Sequence, residues 1–309
     1  MTVQKLDLSL NEYLELINNS EKSSDFIYRG QTNSYSDHKF SEWNIVSSYN
    51  RNTQFNKIRF NSFLTQQLND GLFDAYYRNN QFVKAKKLEN SDLVSKLYFL
   101  QHYGIATCLI DFTHNPFVAL YFAMSSLNSH SGGTFDDNGF PTYYPENCTI
   151  SIYQINYKLL VEKLKIQEIN NKMAYEYDKN FEFKTNIDLR KKVHLGIDTN
   201  PIQKTNELID NYNLLKQEGA FIFYDNHYNK DYDFIQFIID YVNENKIELN
   251  EPLVKIYKIK YNELYKPMRS KNPNFKTAFQ ILKEKQKTGN YLFNDHQGLK
   301  YDMIFFHDQ

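Results

Sequence analysis

Three stretches of this chain combine chemically capable residues with punctuation that would present them. Tyr28-Arg29-Gly30-Gln31 ends a short apolar run begun by Phe26-Ile27. An Arg at the end of such a strand offers a planar fork that grips a phosphate or carboxylate through two N–H bonds. Gly30 permits close approach of a ligand or a neighbouring chain. The structural alternative has the same guanidinium neutralise an internal carboxylate such as Asp111. The second stretch runs from Gln101-His102-Tyr103-Gly104 to Leu109-Ile110-Asp111-Phe112-Thr113-His114-Asn115-Pro116. It gathers polar groups where a strand ends and a helix begins, a place that favours anions. Asp111 or Thr113 there can equally serve as a helix cap. The third is Gln217-Glu218-Gly219-Ala220-Phe221, a polar pair entering an apolar strand. Its plain alternative is a helix end, with Gly219 as the stop and Gln217 and Glu218 in solvent.

What is missing narrows the chemistry. There is no G-x-G-x-x-G, no phosphate loop ending in Gly-Lys-Ser/Thr, and no G-x-S-x-G elbow. The eight His neither pair at i, i+4 nor join Cys108 or Cys148 at zinc spacing, so no metal site is expected. With 36 basic and 37 acidic residues the net charge is −1, which speaks against gripping a nucleic-acid backbone as the main activity. A nuclease or RNA binder would also want a metal-carboxylate cluster that the sequence lacks. Arg is scarce, six against thirty Lys, so each Arg is a candidate for a role needing the planar fork. No apolar run approaches the roughly 20 residues of a membrane helix, and no cationic leader precedes an apolar stretch. A soluble protein of the cytoplasm, without membrane attachment, is expected.

The elements that must position these residues follow from periodicity. Leu10, Tyr13, Leu14 and Ile17 form a helical stripe, and 26–30 reads as a strand. Helices are expected over 54–70 and around 93–100. Thr107–Ile110 reads as a buried strand, Asp111–His114 as a turn, and Asn115-Pro116 as the cap and first turn of a buried helix, 117–127. Residues 125–147, rich in Ser, Asn, Gly and Pro, read as a flexible loop. Strands are expected at 149–155, 220–224 and 253–259, and helices near 156–165, 203–216, 232–243 and 275–288. With 309 residues and 41% apolar content, the chain can bury a core unaided. Helices and strands alternate without a regular βαβ period, which predicts a single α+β domain over 1–309, its largely antiparallel sheet flanked by helices. Residues 226–309 form a C-terminal strand-helix extension packed on that core.

Together these segments resemble the FRG domain family, whose Phe-x-Arg-Gly signature stands here as Phe26-Ile27-Tyr28-Arg29-Gly30. Trp43-Asn44-Ile45-Val46 with Arg51 is similar to a further family segment. Gln101-His102-Tyr103-Gly104, then Leu109-x-Asp111-Phe112-Thr113, Asn115-Pro116 and Ala119–Ala123 match its most characteristic stretch. Gln217-x-Gly219-x-Phe221, Tyr291–Phe293 and Gln297–Leu299 extend the likeness. The family pattern has Arg where Cys108 stands and Trp where Phe112 stands, so a guanidinium and an indole N–H are absent here. The order of motifs also resembles ADP-ribosyltransferases: a strand-end Arg, a polar strand leading into an Asn-Pro helix, and a Gln/Glu strand motif. Here Asp111 replaces the first Ser of the middle motif, and the final Glu has no clean match.

That second resemblance implies an ADP-ribosyltransferase-like core and NAD as cofactor, with a protein or nucleic acid as acceptor. It also suggests a toxin or phage-defence setting. Arg29 would anchor the phosphates, Asp111 and Thr113 would position the ribose, and Gln217 and Glu218 would orient the acceptor or stabilise charge. Tyr28, Gly30, Gln31, His102, Tyr103 and Phe112 would line the cofactor, with Tyr28, Tyr103 or Phe112 stacking on nicotinamide. Breaking the NAD glycosidic bond builds positive charge on the ribose, which a facing carboxylate stabilises. Spacing leaves Asp111 and Glu218 both open as that carboxylate. The competing expectation is an inert module that binds or senses a nucleotide, a nucleic acid or a protein.

Overall fold

The computed structural model describes residues 1–20, 25–31, 45–51, 93–102, 106–125, 149–169, 193–201, 212–226, 232–260, 264 and 278–293. The helix expected over 54–70 and nearly all of the 125–147 loop lie outside the described residues. In chain order the elements are β1 (Val3–Leu8), α1 (Leu10–Ser20), β2 (Phe26–Gln31), α2 (Ser48–Arg51), α3 (Leu93–His102) and β3 (Leu109–Thr113). Then come α4 (Pro116–Ser125), β4 (Thr149–Asn156), α5 (Tyr157–Leu164), β5 (Gln167–Glu168), β6 (Val193–Asp198) and α6 (Tyr212–Lys216). The last are β7 (Gly219–Asn226), α7 (Phe234–Glu244), β8 (Val254–Lys260), α8 (Ala278–Glu284) and α9 (Gly289–Leu292).

The strands form one sheet in the order β1-β8-β4-β2-β3-β7-β6-β5. Among the described strands only the outer pairs, β1 with β8 and β5 with β6, run parallel; the interior is antiparallel, as expected. Its pairing is uneven. β2 pairs with β4 from Phe26 to Gln31, and β3 pairs with β7 from Leu109 to Thr113. β2 and β3, which join the two halves, share the single pair Tyr28↔Thr113. The sheet is therefore two four-stranded ladders meeting along a seam.

Side-chain alternation assigns each face a core. On one face Ile27, Ile110, Phe112, Ile155, Ile222 and Val254 join α5 and α7 in a core that spans both ladders. On the other, Tyr28, Ile152, Tyr257 and Ile259 pack against α1, α4 and α8. The α4 helix is apolar nearly all round and buried from Pro116 to Met124 except for half-buried Phe122, as its composition predicts. It sits so close to β2 that a Cβ on Gly30 would lie 1.9 Å from Ala119 O and 2.7 Å from Ala123 N. Of the two roles open to Gly30, close approach of a neighbouring helix is the one seen. The second ladder is covered on that face by α3, where Tyr98 packs on Phe221 at 5.0 Å and donates to Asp198 Oδ2. A capping box starts α1: Glu12 Oε2 accepts from Ser9 N (2.7 Å) and Ser9 Oγ (2.8 Å). These bonds hold the Glu12 carboxyl below its ordinary range.

The fold is thus a single α+β domain. It departs from the sequence reading at Asp111-Phe112-Thr113, which complete β3 rather than forming a turn. Only His114 bends the chain before α4. β1, β5 and β6 were not anticipated. Among the described residues, no helix is long and apolar enough to cross a membrane.

Candidate functional site

The seam gathers the residues singled out in the sequence. Its first end is built on helix-capping chemistry. Asn115 Oδ1 accepts from Phe117 N (2.9 Å) and Val118 N (3.4 Å), capping α4. Asn115 N donates to Thr113 Oγ1 (3.0 Å), and that hydroxyl donates to Gln217 O (2.6 Å). Glu218 stops α6 in the left-handed region, at φ 50°. Its neighbour Gly219 makes room for Leu214: a Cβ there would lie 2.1 Å from Leu214 Cδ1, and that side chain would have to turn aside. The helix-end reading of Gln217-Glu218 is therefore correct in kind, with Glu218 rather than Gly219 as the turning residue. Glu218 is far from idle: Oε1 accepts from Asn115 Nδ2 (2.8 Å) and from Lys287 Nζ (2.7 Å). Gln217 Nε2 reaches Leu292 O at 3.4 Å. His114 places Nδ1 3.3 Å from Phe26 O and Nε2 2.8 Å from Thr199 O, tying β2 to the end of β6.

The other end is held from outside inward. Asp233 caps α7 through Ile235 N (2.7 Å) and Gln236 N (3.0 Å), and its second oxygen takes Ile45 N at 2.5 Å. That bond anchors the segment leading into α2. Thr107 N donates to Ser48 Oγ (3.0 Å), and Tyr49 N donates to Thr107 O (3.0 Å), docking α2 beside the entrance to β3. Thr107 Oγ1 accepts from Leu109 N (3.1 Å) and donates to Gln101 Oε1. This turns Gln101 Nε2 onto both oxygens of Asp111 at 2.9 Å each. Asp111 is the exposed position of an otherwise buried strand.

Arg29 closes the arrangement. Its Nη1 donates to the backbone oxygen of Asp111 at 2.7 Å, not to the carboxylate, which Gln101 holds instead. Its Nε is buried with no partner. Burial, reinforced by the positive charge of Arg51, pushes the Arg29 guanidinium down to about 10 against the opposing pull of Asp111 and Tyr153. Arg51, whose Nη2 donates to Val46 O at 3.2 Å, is lowered by burial and raised by Asp111. Both guanidiniums thus feel the charge of one exposed carboxylate, whose oxygens Gln101 holds. Gln31 Oε1 and Ser151 Oγ, further along β2 and β4, are also buried without partners. Each such atom costs roughly 1–3 kcal/mol while it stays unpaired.

Of the residues read from the sequence, Arg29 and Asp111 meet at one end of the seam, and Thr113, Gln217 and Glu218 at the other. Tyr28 lies in the core beneath α4, where its hydroxyl accepts from Gln154 Nε2 at 3.4 Å. Phe112 lies in the core of the opposite face. Both rings are thereby committed to packing. His102 ends α3; its side chain, and all of Tyr103, lie outside the described residues. Gln101, Arg51, Ser151 and Lys287 were absent from the predicted set. The scarcity of Arg pointed toward Arg51, while Ser151 and Lys287 carried no local signal. Among the described residues no group of three His, Cys, Asp or Glu is placed to hold a metal ion.

These features define an α+β domain with a cationic, incompletely satisfied seam at the middle of its sheet. The FRG domain family model matches residues 24–132, so an FRG domain is present in this chain. The match contains Arg29, Arg51, Gln101, Asp111 and Asn115, whereas Ser151, Glu218 and Lys287 fall beyond it. Searches of curated proteins and of solved structures found no match.

Proposed function

We propose that the seam binds NAD and that the domain transfers ADP-ribose from it to a macromolecular acceptor. The observation that carries this reading is the Arg29–Arg51 pair, with one buried Nε lacking an acceptor. Two guanidiniums beside one carboxylate are short of negative charge, and a pyrophosphate supplies charge and oxygen acceptors together. In the proposed reaction the bond between the nicotinamide nitrogen and the ribose breaks, and nicotinamide leaves with the electron pair. An acceptor nucleophile attacks the anomeric carbon and gives up its proton. Asp111, exposed and oriented by Gln101, is the carboxylate assigned to the positive charge that develops on the ribose. Glu218 is assigned a positioning role, because Asn115 and Lys287 already engage its Oε1.

Nicotinamide release from NAD, measured with and without cell extract, tests the reading. Release by the wild type that falls at least a hundredfold in both Arg29→Ala and Asp111→Asn supports it. Release that survives both substitutions overturns it. The engagement of Glu218 favours a second reading, a nucleotide sensor without turnover. It predicts Arg29-dependent NAD binding and no nicotinamide release under either condition.

A further inference from the structure

One rung beyond Arg29, Gln31 and Ser151 face each other across the β2–β4 ladder. Alternation puts them on the same face as Arg29, with Cβ atoms of opposed residues about 5 Å apart. Ser151 is fully buried and Gln31 is 9% exposed. Neither Gln31 Oε1 nor Ser151 Oγ has a hydrogen-bond partner, although each is of a type to serve the other. Arg29 Nε continues the row as an unpartnered donor. A protein designed only to fold would fill this row with apolar side chains, as it does at Ile27 and Ile155, one turn of the alternation away.

We infer that Gln31 and Ser151 form a subsite for a neutral amide-type edge of the nucleotide, an NH₂ group beside an acceptor. This deepens the NAD reading and rests on it. Gln31 Oε1 accepts from the NH₂, while the Ser151 hydroxyl donates to the neighbouring acceptor. Such an edge exists at both ends of NAD: the 6-amino group and ring nitrogen of adenine, and the carboxamide of nicotinamide. The match is polar and uncharged, unlike the anion site at Arg29, so the two are separable.

The experiment titrates purified full-length chain with four probes. These are ADP-ribose, its hypoxanthine analogue, nicotinamide mononucleotide, and its nicotinic acid analogue. In the wild type, replacing NH₂ by oxygen should weaken binding about tenfold in one pair, which identifies the source of the edge. In Gln31→Leu that discrimination should vanish, and Ser151→Ala should weaken the preferred probe several-fold. Thermal melting of the unligated variants provides a control that needs no ligand. Both substitutions should leave the melting temperature unchanged or raised, because each removes an unsatisfied buried atom. Equal discrimination in Gln31→Leu and the wild type overturns the subsite while leaving the NAD reading intact. A lowered melting temperature in both variants also overturns it, assigning the pair to structure. If no probe binds the wild type, the nucleotide reading itself fails, and the subsite with it.

Discussion

The two ends of the seam use similar residues to opposite effect. At the Glu218 end a carboxylate, an amide, a hydroxyl and an ammonium are mutually bonded: Thr113 to Gln217, Asn115 to Glu218, Lys287 to Glu218. At the Arg29 end the guanidinium keeps a buried Nε unpaired, and Gln31 and Ser151 add two oxygens in the same condition. Saturated polar networks hold a structure in one arrangement, whereas unsaturated ones are raised in free energy until something else completes them. The difference separates the part of the seam that closes the sheet from the part to which the proposal assigns a ligand.

The largest test concerns the limit of the open end. Gly30 lies beside Arg29, yet its own face is closed by α4. Gly30→Val should cost about 3 kcal/mol or more, read as loss of cooperative melting or of soluble protein. Tolerance of Val would mean that α4 stands further off than described. Next in size is Arg29→Met, which should weaken binding of ADP-ribose ten- to a hundredfold without lowering the melting temperature. A melting temperature lowered by several degrees would place Arg29 with the closed end instead.

At the closed end, Asn115→Ala should cost about 1–2 kcal/mol, a melting shift of about 2–3 °C, through loss of the α4 cap. Its effect on ADP-ribose binding should stay within twofold. The smallest effect is electrostatic. Burial raises the Asp233 carboxyl despite its three backbone N–H partners. The folded chain therefore takes up this proton at higher pH than the unfolded chain does. Asp233 adds stability as pH falls through the carboxylate range and loses it again as pH rises. On acidification the wild type should gain stability relative to Asp233→Asn, by at most about 1.4 kcal/mol for each pH unit crossed. Urea melts between pH 4 and pH 7 measure it, and a constant difference would show that burial does not dominate there.

Much of this comparison was legible wherever the signal is local. Asn115-Pro116 announced the cap and α4, and the apolar stripe of Leu10 to Ile17 announced α1. Arg29 and Asp111 stood out by type and punctuation, and the structure brings them together. Asp111–Thr113 misled because polar residues before Asn-Pro read as a turn, whereas pairing with β7 extends the strand through them. Glu218 misled because Gly219 looked like the helix stop. In fact Glu218 takes the left-handed backbone and Gly219 makes room for Leu214. Ser151 and Lys287 acquire their places from register and tertiary packing, which no window of sequence contains. β1 and β6 escaped for a related reason: their sides are defined by neighbours distant in the chain.

The order of the strands also bears on how the protein is made. β1 ends at Leu8, but its neighbour among the described strands, β8, begins at Val254. β8 in turn is the partner that separates β1 from β4. Of the eight described strands, the segment matched by the family model, 24–132, holds β2 and β3, and these share one rung. During synthesis the first ladder must therefore wait for β8 before it can assemble, a delay that pairing of such long range imposes. The ladder that carries Arg29 is complete only when the ribosome has finished β8.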